Sequence, residues 1–363
     1  MNKKTKKNKK TFVIAEAGVN HNGDERLAYQ LIDAAIAANA DAVKFQTFKA
    51  NRLVTETAPK ANYQKITTGT QESQFEMLKR LELSFETYKK LQHYCIQNKI
   101  QFLSTAFDLE SLEFLNSELN LSQFKISSGD ITNGPLLMQY AMTGKPLILS
   151  TGMSTLGEIE QALSVIAYGL IDGSAPSISA FKAAFLSKEG QEALQGKVSL
   201  LHCTSQYPAP YEEVNLRAMD TMRHAFNLPV GYSDHTEGIA VPIAAVARGA
   251  DLIEKHFTLD RSLPGPDHKA SLEPAQLQAM IQSIRQIEMA IGQGNKMPTQ
   301  SELDTLVVAR KSLVVGEKMR AGEKFNEQNL AVMRPGTGIS PMYYWECIGQ
   351  QVMRDFSQGE LIE

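Results

Sequence analysis

Short runs of aliphatic and β-branched residues recur along the first two-thirds of the chain: Phe12–Ala17, Ala42–Gln46, Phe102–Thr105, Phe124–Ser127, Leu147–Ser150, Val198–Cys203, Val230–Ser233 and Leu252–Phe257. Stretches with helical spacing separate most of them. Glu25–Ala38 places Leu27, Leu31, Ala34, Ala35 and Ala38 on one stripe, and Leu156–Ala167 does the same with Ile159, Ala162, Leu163 and Ile166. Val241–Arg248 links the last two runs, and Pro274–Ile291 follows them. Eight β/α repeats in one continuous segment predict an α/β fold, a (β/α)₈ TIM barrel. A doubly wound open sheet is the competing architecture. It carries a glycine-rich phosphate loop after its first strand, and Glu16-Ala17-Gly18-Val19-Asn20-His21-Asn22-Gly23 lacks the GxGxxG spacing.

Two stretches break the rhythm. Asn51–Thr87 follows the second run, contains a helix-like piece at Gln71–Leu81, and is expected to lie over the barrel mouth. Ser174–Gln195 forms a second excursion before the sixth run. The barrel pattern covers 11–291, and 292–305 reads as a linker containing Gly, Pro and Asn. Residues 306–363 change character, with Ser312–Val315, Asn329–Met333 and Leu361–Ile362 as short strands between turns. They predict a small, separate β-rich domain.

Composition narrows the class. A chain of 363 residues, 43% hydrophobic, can bury a sizeable core. The net charge of −3 includes six lysines among the first ten residues. Residues 1–10 therefore read as a disordered basic tail, and the body is acidic, which argues against nucleic acid as a partner. No apolar stretch has the length of a membrane span, and the N-terminus lacks the apolar core of a signal peptide. Cys95, Cys203 and Cys347 are scattered, as expected of a reducing, cytoplasmic setting without disulfides. Cys203 adjoins His202 inside an apolar run and reads as a core residue.

In a barrel the chemistry collects where strands end. Those ends hold Glu16, Lys44, Gln46, Thr105, Lys125, Ser128, Asp130, Ser150, Thr151, Ser205, Tyr207, Ser233, His235 and His256. Ser and Thr alone would read as loop caps. Two lysines, two carboxylates and two histidines together do not. Lys44 and Lys125, with the hydroxyls, suit an anion bearing phosphate and carboxylate. His235 and His256 close neighbouring runs and can share one divalent metal, with positions left open for substrate. Asp267, held in a Pro-Gly-Pro turn, is a further carboxylate beyond the eighth run.

Several segments resemble the sialic acid synthase family: Ala15–Gly23, Val43–Thr47, Lys125–Asp130, Leu149–Met153, Ser233–Thr236, Glu254–Thr258 and Pro264–His268. Lys311-Ser312 and the stretch from Arg334 to Pro341 resemble that family's small antifreeze-like (SAF) domain, a β-clip-like unit. The resemblance implies condensation of phosphoenolpyruvate with an N-acyl amino-hexose, giving a nine-carbon 2-keto acid and phosphate by C–O cleavage. It implies a domain-swapped homodimer using Mn²⁺, or Mg²⁺ or Co²⁺ in its place. His235 and His256 would bind the metal. Lys44, Thr105, Lys125, Ser128, Ser205 and Ser233 would bind phosphoenolpyruvate. Glu16 and Asp130 would act with the histidines in catalysis. Gln46, Tyr207 and Asp267 would contact the sugar, with Arg334 reaching in from the partner chain. Two positions depart from the family pattern. Several members have Glu where this chain has Asp130, and some have Asn or Thr at Ser205.

The acceptor is N-acetylmannosamine in one branch and 2,4-diacetamido-2,4,6-trideoxymannose in the legionaminate branch. Segments such as His202–Tyr207 and Leu263–Pro274 look more like these two than like the pseudaminate branch. Two other readings compete: a Schiff-base aldolase on the same barrel, using Lys125 or Lys255, and a non-catalytic carbohydrate-binding protein.

Overall fold

The computed structural model describes residues 10–172 and 175–362. The expected tail up to residue 9, and Ser174 at the start of the second excursion, lie outside the described residues. Lys10 does not belong to a free tail, because its ammonium pairs with Asp41. The chain divides into two compact units, the break falling after Gly292.

In the first unit eight parallel strands close into a barrel in sequence order. They are β1 (Phe12–Gly18), β2 (Ala42–Thr47), β3 (Gln101–Ala106), β4 (Phe124–Ile126), β5 (Leu147–Ser150), β6 (Val198–Cys203), β7 (Val230–Asp234) and β8 (Leu252–His256). The doubly wound alternative is therefore excluded. The strands are apolar in runs because both faces are covered. One face packs on the surrounding helices, as Val13, Ala15, Val43 and Phe45 do. The other fills the barrel with Ile14, Ala42, Leu103, Ile148, Leu201 and Leu252. Gly231 makes room in that filling, since a Cβ there would stand 2.3 Å from the Leu252 carbonyl oxygen and 2.8 Å from Leu201.

The helices start where side chains can cap them. Asp24 accepts from the Arg26 amide ahead of Glu25–Ala37, Ser84 from Thr87 ahead of Phe85–Gln97, and Thr155 from Glu158 ahead of Leu156–Ile171. The buried face of the first helix is Ala28, Leu31, Ile32 and Ala35, rotated by about one residue from the expected stripe. Leu156–Ile171 buries more than one stripe, because the second excursion folds into two helices, Ile178–Leu186 and Lys188–Lys197, and Phe181 packs edge-on to Tyr168 at 5.4 Å.

The first excursion is helical in three pieces, Ala50–Leu53, Asn62–Thr68 and Gln74–Leu81. Buried Lys60 ties the second to the third, donating to Thr68 Oγ1 (2.8 Å), the Gly69 carbonyl (3.2 Å) and Glu72 Oε1 (3.1 Å). Met77 and Leu81 bury against Val19 and Phe48, beside the strand ends.

The second unit contains an antiparallel pair, β9 (Ser312–Val315) and β10 (Leu330–Met333), with isolated bridges at Val314–Leu361, Met319–Phe356 and Lys324–Gln351. Its own core is Leu313, Val315, Met319, Phe325, Leu330, Cys347, Val352, Phe356 and Ile362. Part of the expected linker is ordered in this unit, where Leu303–Ala309 forms a helix. Its apolar Leu303, Leu306, Val307 and Val308 fall at helical spacing. Among the described residues no helix is long and apolar enough to cross a membrane.

Candidate active site

The strand ends converge on one cavity of about 460 Å³, a size suited to small-molecule substrates. Glu16, Lys44, Gln46, Thr105, Lys125, Ser128, Ser205, Tyr207, Ser233, His235 and His256 all line it. Parallel pairing explains the assembly. β1 pairs with β8 so that Glu16 sits beside His256, and β1 pairs with β2 so that Glu16 sits beside Lys44.

The floor is a charged network. Lys44 Nζ lies 2.6 Å from Glu16 Oε2 and 3.3 Å from Thr105 Oγ1, and the Gln46 amide donates to Glu16 Oε1 at 3.3 Å. Glu254 stands between the lysines, 3.4 Å from Lys125 Nζ and 3.7 Å from Lys44 Nζ, and accepts the Ser233 hydroxyl at 2.9 Å. The two glutamates titrate far apart. Burial raises Glu16 to about 7, against the pull of Lys44 and with repulsion from Glu254 adding to it. Burial would also raise Glu254, but Lys125 and Lys44 outweigh it and hold it near 2. One carboxyl is thus poised near neutrality while its neighbour stays charged, the division that acid–base chemistry uses.

Beside the floor stand the two imidazoles, ring centres 5.5 Å apart. Burial lowers both pKa values, and for His256 the neighbouring His235 adds to the effect. Both rings are therefore neutral at neutral pH, the form that ligates metals. His235 Nδ1–H donates to the Thr204 carbonyl at 2.6 Å, which leaves Nε2 with a free lone pair. His256 Nδ1 is buried without a hydrogen-bond partner. These features fit a shared divalent ion. Among the described residues no group of three His, Cys, Asp or Glu side chains is placed to hold a metal, so such an ion would take its other ligands from water or substrate. Tyr207 lies against the pair, 4.2 Å from His235 and 5.6 Å from His256, and Tyr63 packs on Tyr207 at 5.0 Å.

Three expected site residues stand apart from the lining. Asp130 is carried by the short turn Ser128–Asp130 toward Asn133, whose amide donates to it at 3.3 Å, and burial raises its pKa. Asp267 is also buried and raised to about 6, with Oδ2 4.0 Å from His256 Nδ1. Arg334 belongs to the second unit, where its Nε donates to the Ala309 carbonyl at 3.0 Å.

Other residues enter the site unannounced. Glu254 is the main one. Alternation along β8 turns Glu254 and His256 inward, and Lys255 outward to buried Asp234 at 2.5 Å, so the signal was present in Glu-Lys-His. Cys203 is not plain core. His202 turns out to the Val214 carbonyl, while the Cys203 thiol faces the cavity 3.2 Å from Ser128 Oγ. Ser128 Oγ also accepts the Gly152 amide at 2.9 Å. A Cβ at Gly152 would stand 2.3 Å from Ser205 Oγ and 3.0 Å from Ser128 Oγ, so the three form a close polar cradle beside Lys125. Tyr63, from the first excursion, had no signal in the sequence.

The chain is similar to known proteins over nearly its whole length. The chain is 49% identical to the N,N'-diacetyllegionaminic acid synthase of Campylobacter jejuni, over 98% of this chain and 99% of that one. It is 45% identical to the enzyme of the same name from Legionella pneumophila, over 96% and 92%. Among solved structures it is similar to the N-acetylneuraminic acid (sialic acid) synthetase of Leptospira borgpetersenii, with a TM-score of 0.65 and 33% identity over 82% of this chain and 91% of that one. The model of the NeuB family matches residues 31–296. With those residues spanning most of the barrel that holds the lysines, glutamates and histidines, the chain belongs to the NeuB family, the sialic acid synthase family that its motifs resemble.

Proposed function

We propose that the protein condenses phosphoenolpyruvate with 2,4-diacetamido-2,4,6-trideoxymannose, giving N,N'-diacetyllegionaminate and phosphate. The observation that carries this reading is the neutral His235/His256 pair beside a Lys–Glu floor at the mouth of one barrel. The likeness to two legionaminic acid synthases supports the choice of acceptor.

Lys44 and Lys125, with Thr105, Ser128, Ser205 and Ser233, supply donors for a carboxylate and a phosphate. Glu254 keeps the two ammonium groups in place. Glu16, its carboxyl raised to about 7, gives a proton to the aldehyde oxygen or takes one from the attacking water. A divalent ion on His235 and His256, Mn²⁺ or Mg²⁺ or Co²⁺, supplies Lewis-acid polarisation of the sugar aldehyde. Tyr207 and Gln46 flank the space left for the sugar, and Asp267, beside His256, is read as a further sugar contact. In the reaction, the enol carbon of phosphoenolpyruvate bonds to the aldehyde carbon, whose oxygen gains a proton. Water adds to C2, the C2–O bond to phosphate breaks, and a keto group remains.

The second unit we read as an SAF domain in a domain-swapped homodimer, with Arg334 completing a partner's site. Such a dimer has twice the 40.1 kDa mass of the chain in light scattering. An aldolase mechanism is less well served. Lys255 is sealed against Asp234 away from the cavity, and Lys125 is paired with Glu254. Borohydride with pyruvate is expected to trap no adduct at Lys125.

The test is phosphate release from phosphoenolpyruvate with Mn²⁺ and each purified acceptor. A kcat/KM at least about tenfold higher for the diacetamido-trideoxy sugar than for N-acetylmannosamine is expected. The reverse order would assign the neuraminate branch, and no phosphate with any acceptor would overturn the reading.

A further inference from the structure

The walls of the cavity differ in chemistry. Its floor is charged and its β6–β8 side is aromatic and imidazole, but another side is hydrocarbon: Leu53, Val54, Leu78 and Phe107. Leu53, Leu78 and Phe107 pack on the buried cluster of Val19, Phe48, Met77 and Leu81. This wall therefore has a small core behind it and is held in shape. Two polar groups near it, Gln64 and Lys60, are already engaged. Gln64 Oε1 accepts the Ala61 amide at 3.0 Å and its Nε2 donates to the Tyr63 hydroxyl at 3.4 Å. The Lys60 ammonium is spent on Thr68, Gly69 and Glu72.

Phosphoenolpyruvate, a carboxylate and a phosphate on a two-carbon enol, has no use for such a surface. A sugar hydroxyl seated against these four side chains would lose its water and gain no hydrogen bond from them. The trideoxy acceptor carries three methyl groups, one at C6 and one on each acetamido group, whereas N-acetylmannosamine carries one.

We infer that Leu53, Val54, Leu78 and Phe107 are the specificity wall for the acceptor, seating the C6 methyl together with an acetamido methyl and disfavouring a 6-hydroxyl. This rests on the function proposed above and adds the residues that would make the choice. Gln74, on the same side, offers an amide to an acetamido group. An apolar pocket gains about 10–200-fold in kcat/KM from one well-seated methyl group, and a hydroxyl forced against it gains nothing.

The experiment compares kcat/KM for the two acceptors, by phosphate release with Mn²⁺, in wild type, Leu78→Gln, Leu78→Met and Val54→Thr. Wild type should prefer the trideoxy sugar. Leu78→Gln should cut the ratio by about tenfold or more, and the volume-conserving Leu78→Met should hold it within about threefold. Val54→Thr keeps shape and adds one hydroxyl, lies outside the helix Gln74–Leu81, and decides the matter if Leu78→Gln does not fold. No preference in wild type overturns the function and the wall together. A wild-type preference that survives both polar substitutions overturns the wall alone.

Discussion

Two layers fill the same barrel, and on several strands they lie only two residues apart. Ile14, Ala42, Leu103 and Leu252 make the lower layer, and Glu16, Lys44, Thr105 and Glu254, with Lys125, the upper one. The lower layer is apolar and stabilises by leaving water. The upper layer keeps four charged groups buried, which is costly unless they neutralise one another. Lys44–Glu16 and Lys125–Glu254 do that. The strand repeat of two puts both layers on the inner face, so stability and chemistry share a scaffold while remaining separable by substitution.

The largest effect should come from the upper layer. His235→Ala and His256→Ala are each expected to lower turnover by about 10³-fold or more and to lose bound metal, with urea midpoint and circular dichroism close to wild type. A variant retaining metal-dependent turnover would sever the histidines from the site. Glu254→Ala should be costly in both respects, because it leaves Lys125 with an uncompensated buried charge and takes from Lys44 the second of its two carboxylates. About 3–5 kcal/mol of stability should go in urea titration, and Glu254→Gln, which keeps an acceptor for Ser233, should lose less. In the lower layer the cost changes kind. Leu201→Ala should remove about 2–5 kcal/mol through the cavity it leaves, while kcat per folded molecule stays within a few-fold. A large fall in kcat there would mean that the layers are not separable.

The smallest expected effect lies beside the mouth. His21 Nδ1 accepts the Gly23 amide at 3.0 Å, and His268 lies 2.7 Å from the Thr258 hydroxyl and 3.2 Å from Asn22 Oδ1. Burial pushes both to about 4, below the ordinary value of 6.5. The unfolded chain takes up these protons first. Their contribution to stability is therefore full above pH 6.5 and is lost as the pH drops from 6.5 toward 4. His268→Gln should flatten that slope by roughly 1–2 kcal/mol, read from urea midpoints at pH 7 and pH 4.5.

The eight strands were legible because each is an apolar run bounded by a helical pattern, and parallel barrel strands have little other choice of sequence. The polar strand ends were legible for the same reason, since Lys44 or Lys125 inside such a run has no structural excuse. Glu254 was missed although its neighbour His256 was not, because in Glu-Lys-His only strict alternation tells inward from outward. Tyr63 and Leu78 were beyond reach. Their place depends on Lys60 folding the first excursion back on itself and on Met77 and Leu81 finding Val19 and Phe48, contacts that follow no local period. Asp130 was read as a strand-end carboxylate, and the turn that carries it toward Asn133 shows only in three dimensions.

The central claim, that the upper layer condenses phosphoenolpyruvate with a sugar aldehyde, is tested most directly by isotope. Phosphoenolpyruvate labelled with ¹⁸O at the bridging position is turned over with the diacetamido-trideoxy acceptor and Mn²⁺, and both products are weighed by mass spectrometry. The account predicts that the label leaves with phosphate. Label retained in the keto acid would contradict it.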